Sequence, residues 1–282
     1  MRIGNREFDI RNEYYIMGIL NVTSDSFSDG GQYENVEQAL RQAERMIADG
    51  CDVIDIGGES TKPGHVKISS QEEIERVCPV IAAIKKEYDI SVSVDTYKAE
   101  VAEAGILAGA DLINDIWGLK WNEERAEKAG LSYGGSMATV IAKYQVAACL
   151  MHNRDDVKYH NLLTDMMSDF QESIHIATQA KMDMTKVLLD PGIGFAKSLK
   201  ENLSVLQGLE MFAELGYPLL LGTSRKSVIG LTLDLPPQER EEGTMATTVL
   251  GAMKGVHFFR VHDVKKNRRA LDMTKAILQA GC

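Results

Sequence analysis

The sequence predicts a single (β/α)8 barrel, because two hydrophobic patterns alternate along its 282 residues. Short, continuous apolar runs are typical of parallel strands that are buried on both faces of a sheet. Longer amphipathic stretches with helical spacing lie between these runs. No Ser/Gly/Pro-rich linker and no change of composition divides the chain. We therefore expect residues 1–282 to form one domain.

Each predicted strand is followed by a predicted helix, which is the repeating unit of such a barrel. The apolar runs that we interpret as strands are, in order, 16–22, 51–58, 90–96, 111–116, 146–152, 187–192, 218–223 and 257–263. The amphipathic stretches that we interpret as helices are 35–49, 71–88, 97–108, 122–130, about 160–181, 200–214, 239–254 and 264–280. In the first helix, Val36, Leu40 and Ile47 fall on one face. Residues 1–14 alternate weakly, and we expect them to form a hairpin that plugs the bottom of the barrel.

An open, doubly wound sheet is the alternative fold. Such a sheet usually carries a glycine-rich turn after its first strand. No GxGxxG follows the first apolar run, and no GxxxxGK[ST] occurs in the chain. The barrel is therefore favoured.

The segment 131–145, between the fourth helix and the fifth strand, is longer than a usual αβ connection. It follows a predicted helix and precedes a predicted strand. We therefore expect it on the bottom or flank of the barrel, away from the catalytic rim.

Composition and charge exclude several classes of protein. The 31 basic and 41 acidic residues give a net charge of −10, which disfavours binding to nucleic acid or to an anionic membrane surface. The N-terminal sequence MRIGNREFDIRNEY has no apolar core, so we expect no signal peptide. No apolar run reaches the length of a membrane helix. The 4 cysteines show neither a CxxC motif nor Cys/His metal spacing, which suggests free thiols in a cytoplasmic protein.

Polar residues follow all the predicted strands, at the end of the barrel where such folds build their active sites. The basic ones should converge on one rim, where they would bind a small anion such as phosphate or pyrophosphate; they are Lys62, Arg225, Lys226, Arg260 and His262. The acidic ones on strand interiors are Asp55, Asp95 and Asp190. Buried carboxylates need hydrogen-bond donors, which a flat heterocycle with N–H groups would supply.

Common catalytic motifs are missing. No cysteine is placed as a nucleophile at a strand end, and no GxSxG or HExxH motif occurs. Ser224 and His262 fall on adjacent strands, which is only a weak indication of a Ser–His pair. Magnesium bound together with a pyrophosphate is compatible with the sequence, because Mg²⁺ needs few protein ligands.

Eight motifs, one at each predicted strand, resemble those of the dihydropteroate synthase family. They are GILNVTSDSFSDGG (18–31), VIDIGGESTKPG (53–64), SVDTYKAEVAEAG (93–105), LINDIWG (112–118), LMHN (150–153), LLDPGIGF (188–195), LGTSRKSVIG (221–230) and FRVHDV (259–264). The resemblance implies a cytoplasmic, homodimeric transferase of folate biosynthesis that is a target of sulfonamides. It would join 6-hydroxymethyl-7,8-dihydropterin pyrophosphate to p-aminobenzoate, with Mg²⁺ as cofactor, giving 7,8-dihydropteroate and pyrophosphate.

The resemblance also implies roles for individual residues. The pterin would be bound by Asp95, Asn114, Met151, Asp190, Phe195, Lys226 and Arg260. The pyrophosphate would be bound by Asn21, Lys62, Arg260 and His262, with Mg²⁺ shared between Asn21 and the phosphates. The p-aminobenzoate would be framed by Phe27, Thr61, Pro63, Lys226 and Ser227. The catalytic residues would be Asp29, Asp95 and Lys226.

The chemistry of this reaction agrees with the residues present. The 2-amino group and N3–H of a pterin present two donors, which the Asp190 carboxylate can accept together. Lys226 supplies a donor for the carbonyl at position 4. Departure of pyrophosphate leaves a ring-delocalised cation, and Asp95 is placed to stabilise it. The p-aminobenzoate amine is itself the nucleophile, so no serine or cysteine is required.

The chain departs from the family pattern at four positions. Ser24 stands where the first loop usually has proline, Lys62 replaces an arginine, Ala196 replaces a glycine and Val228 replaces a phenylalanine. None of them removes an expected pterin contact. Two other functions remain open: a pterin-dependent methyltransferase with a related barrel, and a pterin-binding protein without catalytic activity.

Overall fold

The computed structural model describes residues 1–22, 32–60 and 67–280, apart from the side chains of residues 32–34. Expectations for Ser24, Phe27, Asp29, Thr61, Lys62 and Pro63 lie outside the described residues. The described residues contain a parallel sheet of eight strands, flanked by helices, and a short antiparallel hairpin at the N-terminus. The fold is the predicted (β/α)8 barrel with an N-terminal hairpin.

All eight predicted strands are present and parallel. The hairpin strands come first, and the barrel strands follow: β1 Arg2–Ile3, β2 Arg6–Glu7, β3 Tyr15–Asn21, β4 Val53–Gly57, β5 Ser91–Asp95, β6 Leu112–Asp115, β7 Ala147–Met151, β8 Val187–Asp190, β9 Leu220–Leu221 and β10 Phe258–Val261. Their spatial order is β8-β7-β6-β5-β4-β3-β10-β9. A bridge between Leu189 and Leu219 joins the two outer strands, so the sheet nearly closes on itself.

Helices surround the strands. They are α1 Gln32–Ala48, α2 Ser70–Glu87, α3 Ala99–Ala108, α4 Glu123–Lys128, α5 Met137–Tyr144, α6 Leu162–Gln179, α7 Leu199–Gln207, α8 Glu210–Ala213, α9 Ser227–Leu233, α10 Glu241–Met253 and α11 Val264–Gln279. Their apolar faces pack on the outward-facing side chains of the strands, such as Ile16, Ile54 and Ile113. None of the helices in the described ranges is long and apolar enough to cross a membrane.

The interior of the barrel is apolar at its lower end, where the strands begin. Met17, Val53, Leu112, Leu188 and Phe258 are all fully buried there. The hairpin closes this end, with Ile3 and Phe8 packed in the same cluster, as expected for residues 1–14. The ring of Phe8 lies 5.6 Å from that of Phe258, and the Ser91 hydroxyl donates a hydrogen bond to the Ile3 carbonyl at 3.2 Å. The active site therefore has no access from below.

The helix prediction is wrong around residues 131–145. Helix α5 buries Met137, Ala138 and Ile141 between α3 and α6, so it is the fourth outer helix of the barrel. The predicted fourth helix, now α4, instead belongs to the loop that follows β6. A β-carbon on Gly134 would collide with the Glu100 carboxylate in the first turn of α3, so the segment before α5 passes the upper end of α3. The expected placement of 131–145 away from the rim is therefore wrong for the part before α5. The adjacent glycines Gly134 and Gly135 indicate a loop in the sequence, so no helix was predicted directly after them.

Two further differences lie after β8 and β9. The predicted helix 200–214 is divided at Gly208, where α7 ends. Helix α9 was not predicted, because its sequence SVIGLTL combines β-branched residues with an internal glycine. Tertiary packing determines it instead, since Val228, Ile229 and Gly230 are buried.

Candidate active site

A partly buried guanidinium group is the centre of the charged cluster at the upper end of the barrel. Arg260 on β10 donates from Nε to Asp55 Oδ2 and from Nη2 to Asp95 Oδ2, both at 2.6 Å. Asn114 Nδ2 donates to the same Asp55 oxygen at 3.1 Å. Asp55 Oδ1 and Asp95 Oδ1 are buried and accept no hydrogen bond from the described residues. Two carboxylate oxygens therefore remain for a ligand that carries N–H groups.

Asp190 and Lys226 lie on the neighbouring strand ends. A β-carbon built on Gly222 would lie 3.7 Å from Arg260 Cβ and 3.8 Å from Asp190 Oδ2, which places Asp190 beside Arg260. Asp190 Oδ1 accepts the Gly192 amide at 2.8 Å. Lys226 Nζ donates to the Ile193 carbonyl at 2.6 Å. A carboxylate and an ammonium thus face the same space, as the pterin assignment requires.

The apolar side of this space is formed by Met151 and Phe195. Met151 is buried in a cluster with Ile116 and Trp121, and Phe195 packs against that cluster. The Lys226 ammonium lies 4.8 Å from the centre of the Phe195 ring. The structure therefore brings the expected polar residues and the expected apolar residues to the same part of the upper end of the barrel.

Two residues expected to bind pyrophosphate lie close to Arg260: Asn21 at the end of the neighbouring strand β3, and His262 after β10 itself. A β-carbon on Gly57 would lie 3.7 Å from both Asn21 Oδ1 and Asp95 Oδ2, so Asn21 is close to Asp95. His262 follows β10 two residues after Arg260, and its backbone amide donates to Ser224 Oγ at 3.1 Å. Ser224 Oγ also lies 2.9 Å from His262 Nδ1. This serine orients the imidazole.

Burial sets the ionisation of the site. It raises the pKa of Asp95 to about 7, against the attraction of Arg260. Burial also raises the pKa of Asp190, and the nearby charge of Lys226 opposes this shift. Burial lowers the pKa of Lys226 to about 8, and the charge of Asp190 opposes that shift. For Arg260 burial favours a lower pKa, but Asp55 and Asp95 outweigh it and raise the pKa overall. The site is therefore poised to change charge close to neutral pH.

The structure brings most of the predicted site residues into this cluster, and it leaves the rest untested. Ser227 is exposed at the first position of α9, directly after Lys226. Phe27, Asp29, Thr61, Lys62 and Pro63 lie in the two ranges outside the described residues. Arg225 is a predicted rim cation that pairs instead with Glu241 at 3.8 Å.

Sequence reasoning missed the polar residues behind the pocket. Asp55 was noted as a strand-end carboxylate but not as the partner of Arg260. Lys197, in the turn after β8, and Asp169, on α6, both contact His152, and none of the three was given a role. The position of His152 directly after β7 was the available signal, whereas nothing in the helix sequence distinguishes Asp169.

A surface groove of about 600 Å³ lies beside this cluster, lined by residues of the loops that follow β6 and β7. Its arginines are already paired: Arg125 with Asp155 at 2.8 Å, and Arg154 with Asp169 at 2.5 Å. The groove therefore offers less unsatisfied charge than the strand ends, where we place the active site.

Comparisons with known proteins agree with this geometry. The model of a family described as pterin binding enzyme matches residues 17–262. Dihydropteroate synthase of Clostridium beijerinckii is 53% identical over 99% of this chain and 100% of its own length. That of Bacillus subtilis is 52% identical over 94% of this chain and 89% of its own length.

Solved structures give the same result. Dihydropteroate synthase from Clostridium difficile, crystallised in the presence of pteroic acid, is 47% identical, with a TM-score of 0.89 over 96% of this chain and 99% of the other. The Yersinia pestis enzyme in a complex with a sulfonamide drug is 40% identical, with a TM-score of 0.89 over 99% of both chains. The chain therefore belongs to the dihydropteroate synthase family of pterin-binding enzymes.

Proposed function

We propose that this chain condenses 6-hydroxymethyl-7,8-dihydropterin pyrophosphate with p-aminobenzoate, giving 7,8-dihydropteroate and pyrophosphate. The observation that carries the proposal is the cluster of Asp55, Asp95 and Asp190 around Arg260 and Lys226. It offers carboxylate oxygens for N–H groups and an ammonium for a carbonyl. The relatives of this chain are named for this reaction, and one was crystallised in the presence of the related pteroic acid.

The pterin is held by complementary hydrogen bonds. Asp190 accepts from the 2-amino group and N3–H, and Lys226 donates to the ring carbonyl. At neutral pH most Lys226 side chains are charged, because burial lowers its pKa only to about 8. Asn114 and Arg260 complete the polar contacts, and the Arg260 guanidinium stacks on the ring. Met151 and Phe195 exclude water from its apolar faces.

The bond between the exocyclic methylene carbon and the pyrophosphate oxygen breaks first, and its electron pair leaves with the pyrophosphate. The cation that remains is delocalised over the dihydropterin ring. The positive charge of this cation favours the ionised form of Asp95, whose pKa is about 7 in the free site. The ionised carboxylate in turn stabilises the cation. The p-aminobenzoate amine then attacks the methylene carbon with its lone pair and loses its proton to water.

Arg260 and His262 bind the departing pyrophosphate, and Ser224 orients His262 through the two contacts described above. We propose that Mg²⁺ binds with the pyrophosphate and that Asn21 is its protein ligand. A neutral amide oxygen fits this ion, which takes oxygen ligands, keeps several waters and is often shared with phosphates. When bound, it neutralises charge on the leaving group. Among the described residues, no group of three or more acidic, cysteine or histidine side chains is arranged to hold a metal ion, so a metal held by the protein alone is not part of this proposal.

The other assignments depend on residues beyond the described ranges. We propose that Lys62 assists the pyrophosphate, that Phe27, Thr61 and Pro63 frame p-aminobenzoate with Lys226 and Ser227, and that Asp29 takes part in catalysis. The proposal places the enzyme in the cytoplasm, as one domain over residues 1–282.

We also propose a homodimer. Exposed apolar side chains lie on α7, α9 and α10, which pack on one another: Leu203, Leu231, Leu233 and Met253. A second copy would cover them. Sedimentation equilibrium of the wild type and of Leu231→Glu tests this, with a dimer and a monomer as the expected species.

Turnover tests the function. Incubation with pterin pyrophosphate, p-aminobenzoate and Mg²⁺ should give equal amounts of dihydropteroate and pyrophosphate. Pterin binding without either product would instead indicate a non-catalytic pterin-binding protein. Methyl transfer from a methylated folate, with no pyrophosphate chemistry, would indicate the related methyltransferase.

A further inference from the structure

The backbone N–H and C=O groups of the turn that connects β8 to α7 have no neighbouring strand with which to form hydrogen bonds. Such groups cost free energy when they are buried and unpaired. Side chains from other parts of the chain pair with them here. Asn202 accepts the Gly194 amide at 2.7 Å, and the Tyr159 hydroxyl donates to the Ala196 carbonyl at 3.0 Å. The shape of this turn is therefore fixed by side chains.

Lys197 pairs with two backbone carbonyls of the turn and with one side chain outside it. Its ammonium donates to the Gly192 carbonyl at 3.1 Å, to the Phe195 carbonyl at 3.0 Å and to His152 Nδ1 at 3.0 Å. Burial lowers the pKa of Lys197 to about 7, which Asp190 opposes. In its charged form the side chain has three N–H donors, and these three contacts use all of them inside the protein. Lys197 therefore has no donor left for a substrate.

His152 is held as an acceptor for Lys197. Its Nε2 lies 2.8 Å from Asp169 Oδ2, so Nε2 carries the proton and Nδ1 remains free to accept. Burial lowers the pKa of His152 to about 4, which keeps the ring neutral at physiological pH. Arg154 holds the same Asp169 carboxylate from the other side. The chain of contacts thus runs from α6 through His152 to Lys197.

The turn braced by Lys197 carries the pterin-binding groups. Gly192 donates its amide to Asp190, Ile193 accepts from Lys226, and Phe195 lies under the Lys226 ammonium. Gly192 has a φ of +65°, and a β-carbon there would lie 2.1 Å from the His152 carbonyl oxygen, so the backbones are in close contact. A shift of the turn would move three pterin contacts at once.

We propose that Lys197 is a positioning residue for the pterin pocket: its ammonium clamps the Gly192 and Phe195 carbonyls and so holds Asp190, Phe195 and Lys226 in the binding geometry. This inference rests on the proposed function only in taking a pterin as the ligand. It assigns Lys197 no contact with substrate and no step of the reaction.

The test compares Lys197→Met with Lys85→Met. Lys85 also braces a loop carbonyl, that of Ile90 at 3.2 Å, and pairs with Asp111 at 2.8 Å, but at the lower end of the barrel. Both variants should lose thermal stability. Only Lys197→Met should weaken binding of a bare pterin, by about 10- to 100-fold, because small displacements of positioned groups cost up to about that factor.

Two further measurements separate positioning from general loss of structure. The affinity for inorganic pyrophosphate with Mg²⁺ should stay within about twofold in Lys197→Met, since the three hydrogen bonds of the Lys197 ammonium involve neither Arg260 nor His262. Lys197→Arg, which restores a cation with several donors, should recover most of the pterin affinity. If Lys197→Met does not fold, Lys197→Gln takes its place with the same criteria.

Equal pterin affinity in the wild type and in folded Lys197→Met would overturn the inference, as would equal losses for pterin and pyrophosphate. Failure of the proposed function has a different result, because the wild type itself would then release neither dihydropteroate nor pyrophosphate in the turnover assay, whatever the effect of Lys197→Met on pterin affinity.

Discussion

The lower and upper halves of the barrel interior differ sharply, although the same strands form both. Alternate residues of a strand point to the same side, so a step of two residues along a strand moves up the interior by one layer. On four strands this step replaces an apolar residue by a polar one: Val53 by Asp55, Leu112 by Asn114, Leu188 by Asp190 and Phe258 by Arg260. Asp55, Asn114 and Asp190 are buried like the lower layer, and the Arg260 side chain is 17% exposed.

The comparison shows that burial alone does not define a core. The lower layer is closed by the hairpin and gains its free energy from the removal of apolar surface from water. The upper layer keeps charges that face each other, and two of its carboxylate oxygens have no partner among the described residues. Such groups cost stability and are retained where they bind or react. We therefore expect the lower layer to determine stability and the upper layer to determine function.

The largest effect should come from the lower layer. Phe258→Ala should destabilise folding by about 3–5 kcal/mol, because a fully buried ring is replaced by a cavity next to Phe8 and Tyr15. Chemical denaturation measures the change. Pterin affinity of the folded variant should remain near that of the wild type. A loss of pterin affinity without a loss of stability would contradict the division between the layers.

Lys226→Met tests the upper layer, where we expect a large loss of activity and little change in stability. We expect kcat/KM to fall by roughly 100-fold or more, because a preorganised donor is lost. Stability should change by no more than about 1 kcal/mol, since the lost bond to Ile193 is offset by removal of a buried charge. Steady-state kinetics and denaturation on the same preparation decide. An unfolded variant would show that this layer is also a structural core.

The pH dependence should separate the layers further. The pKa of Asp95 is raised to about 7 in the folded protein, above its unfolded value near 4. The folded state therefore holds the extra proton between these pH values, and its contribution to stability is present below pH 4 and is lost as pH rises towards 7. Asp95→Asn should gain stability relative to the wild type over the same range.

Activity should follow the opposite course. Because ionised Asp95 stabilises the cation, kcat/KM of the wild type should rise with pH through about 7. Unfolding free energies and rates at pH 5, 6, 7 and 8 test both trends. A difference in stability between Asp95→Asn and the wild type that does not vary with pH would refute this assignment.

The smallest effect should be that of Ser91→Ala, at the contact between hairpin and barrel. It removes one hydrogen bond to the Ile3 carbonyl and should cost about 1 kcal/mol of stability. Because Ser91 lies below the charged layer, kcat/KM should not change. Thr274→Ala is a control, since it removes one hydroxyl bond on α11, far from the hairpin. If Thr274→Ala lowered stability and Ser91→Ala did not, the hairpin contact would make no measurable contribution to the free energy of unfolding.

Much of the fold could be predicted because strands that are buried on both faces leave continuous apolar runs. Runs such as IMGILNV and VLLDPG marked strands β3 and β8, and their final polar residues marked the site. Helix α5 was missed because two glycines precede it, and helix α9 because its local sequence disfavours a helix. Packing of residues such as Ile141 and Val228 determines both helices.

The partners of the site residues were harder to predict than the residues themselves. Sequence order places Arg260 and Asp55 at strand ends, but only the closed sheet shows that β10 and β4 flank β3, so that their side chains meet. The contacts of Lys197 with His152 and of His152 with Asp169 join residues of a turn, a strand end and a helix. No spacing in the sequence reports such contacts.

The central claim is that the charged upper layer recognises a pterin. Calorimetric titration of a pterin into the wild type, Asp190→Asn and Phe258→Ala tests it most directly. The wild type and Phe258→Ala should bind with similar affinity. Asp190→Asn should lose about 2 kcal/mol or more of binding free energy, because an amide cannot accept both donors of the ring edge. Equal affinity in Asp190→Asn and the wild type would contradict the claim.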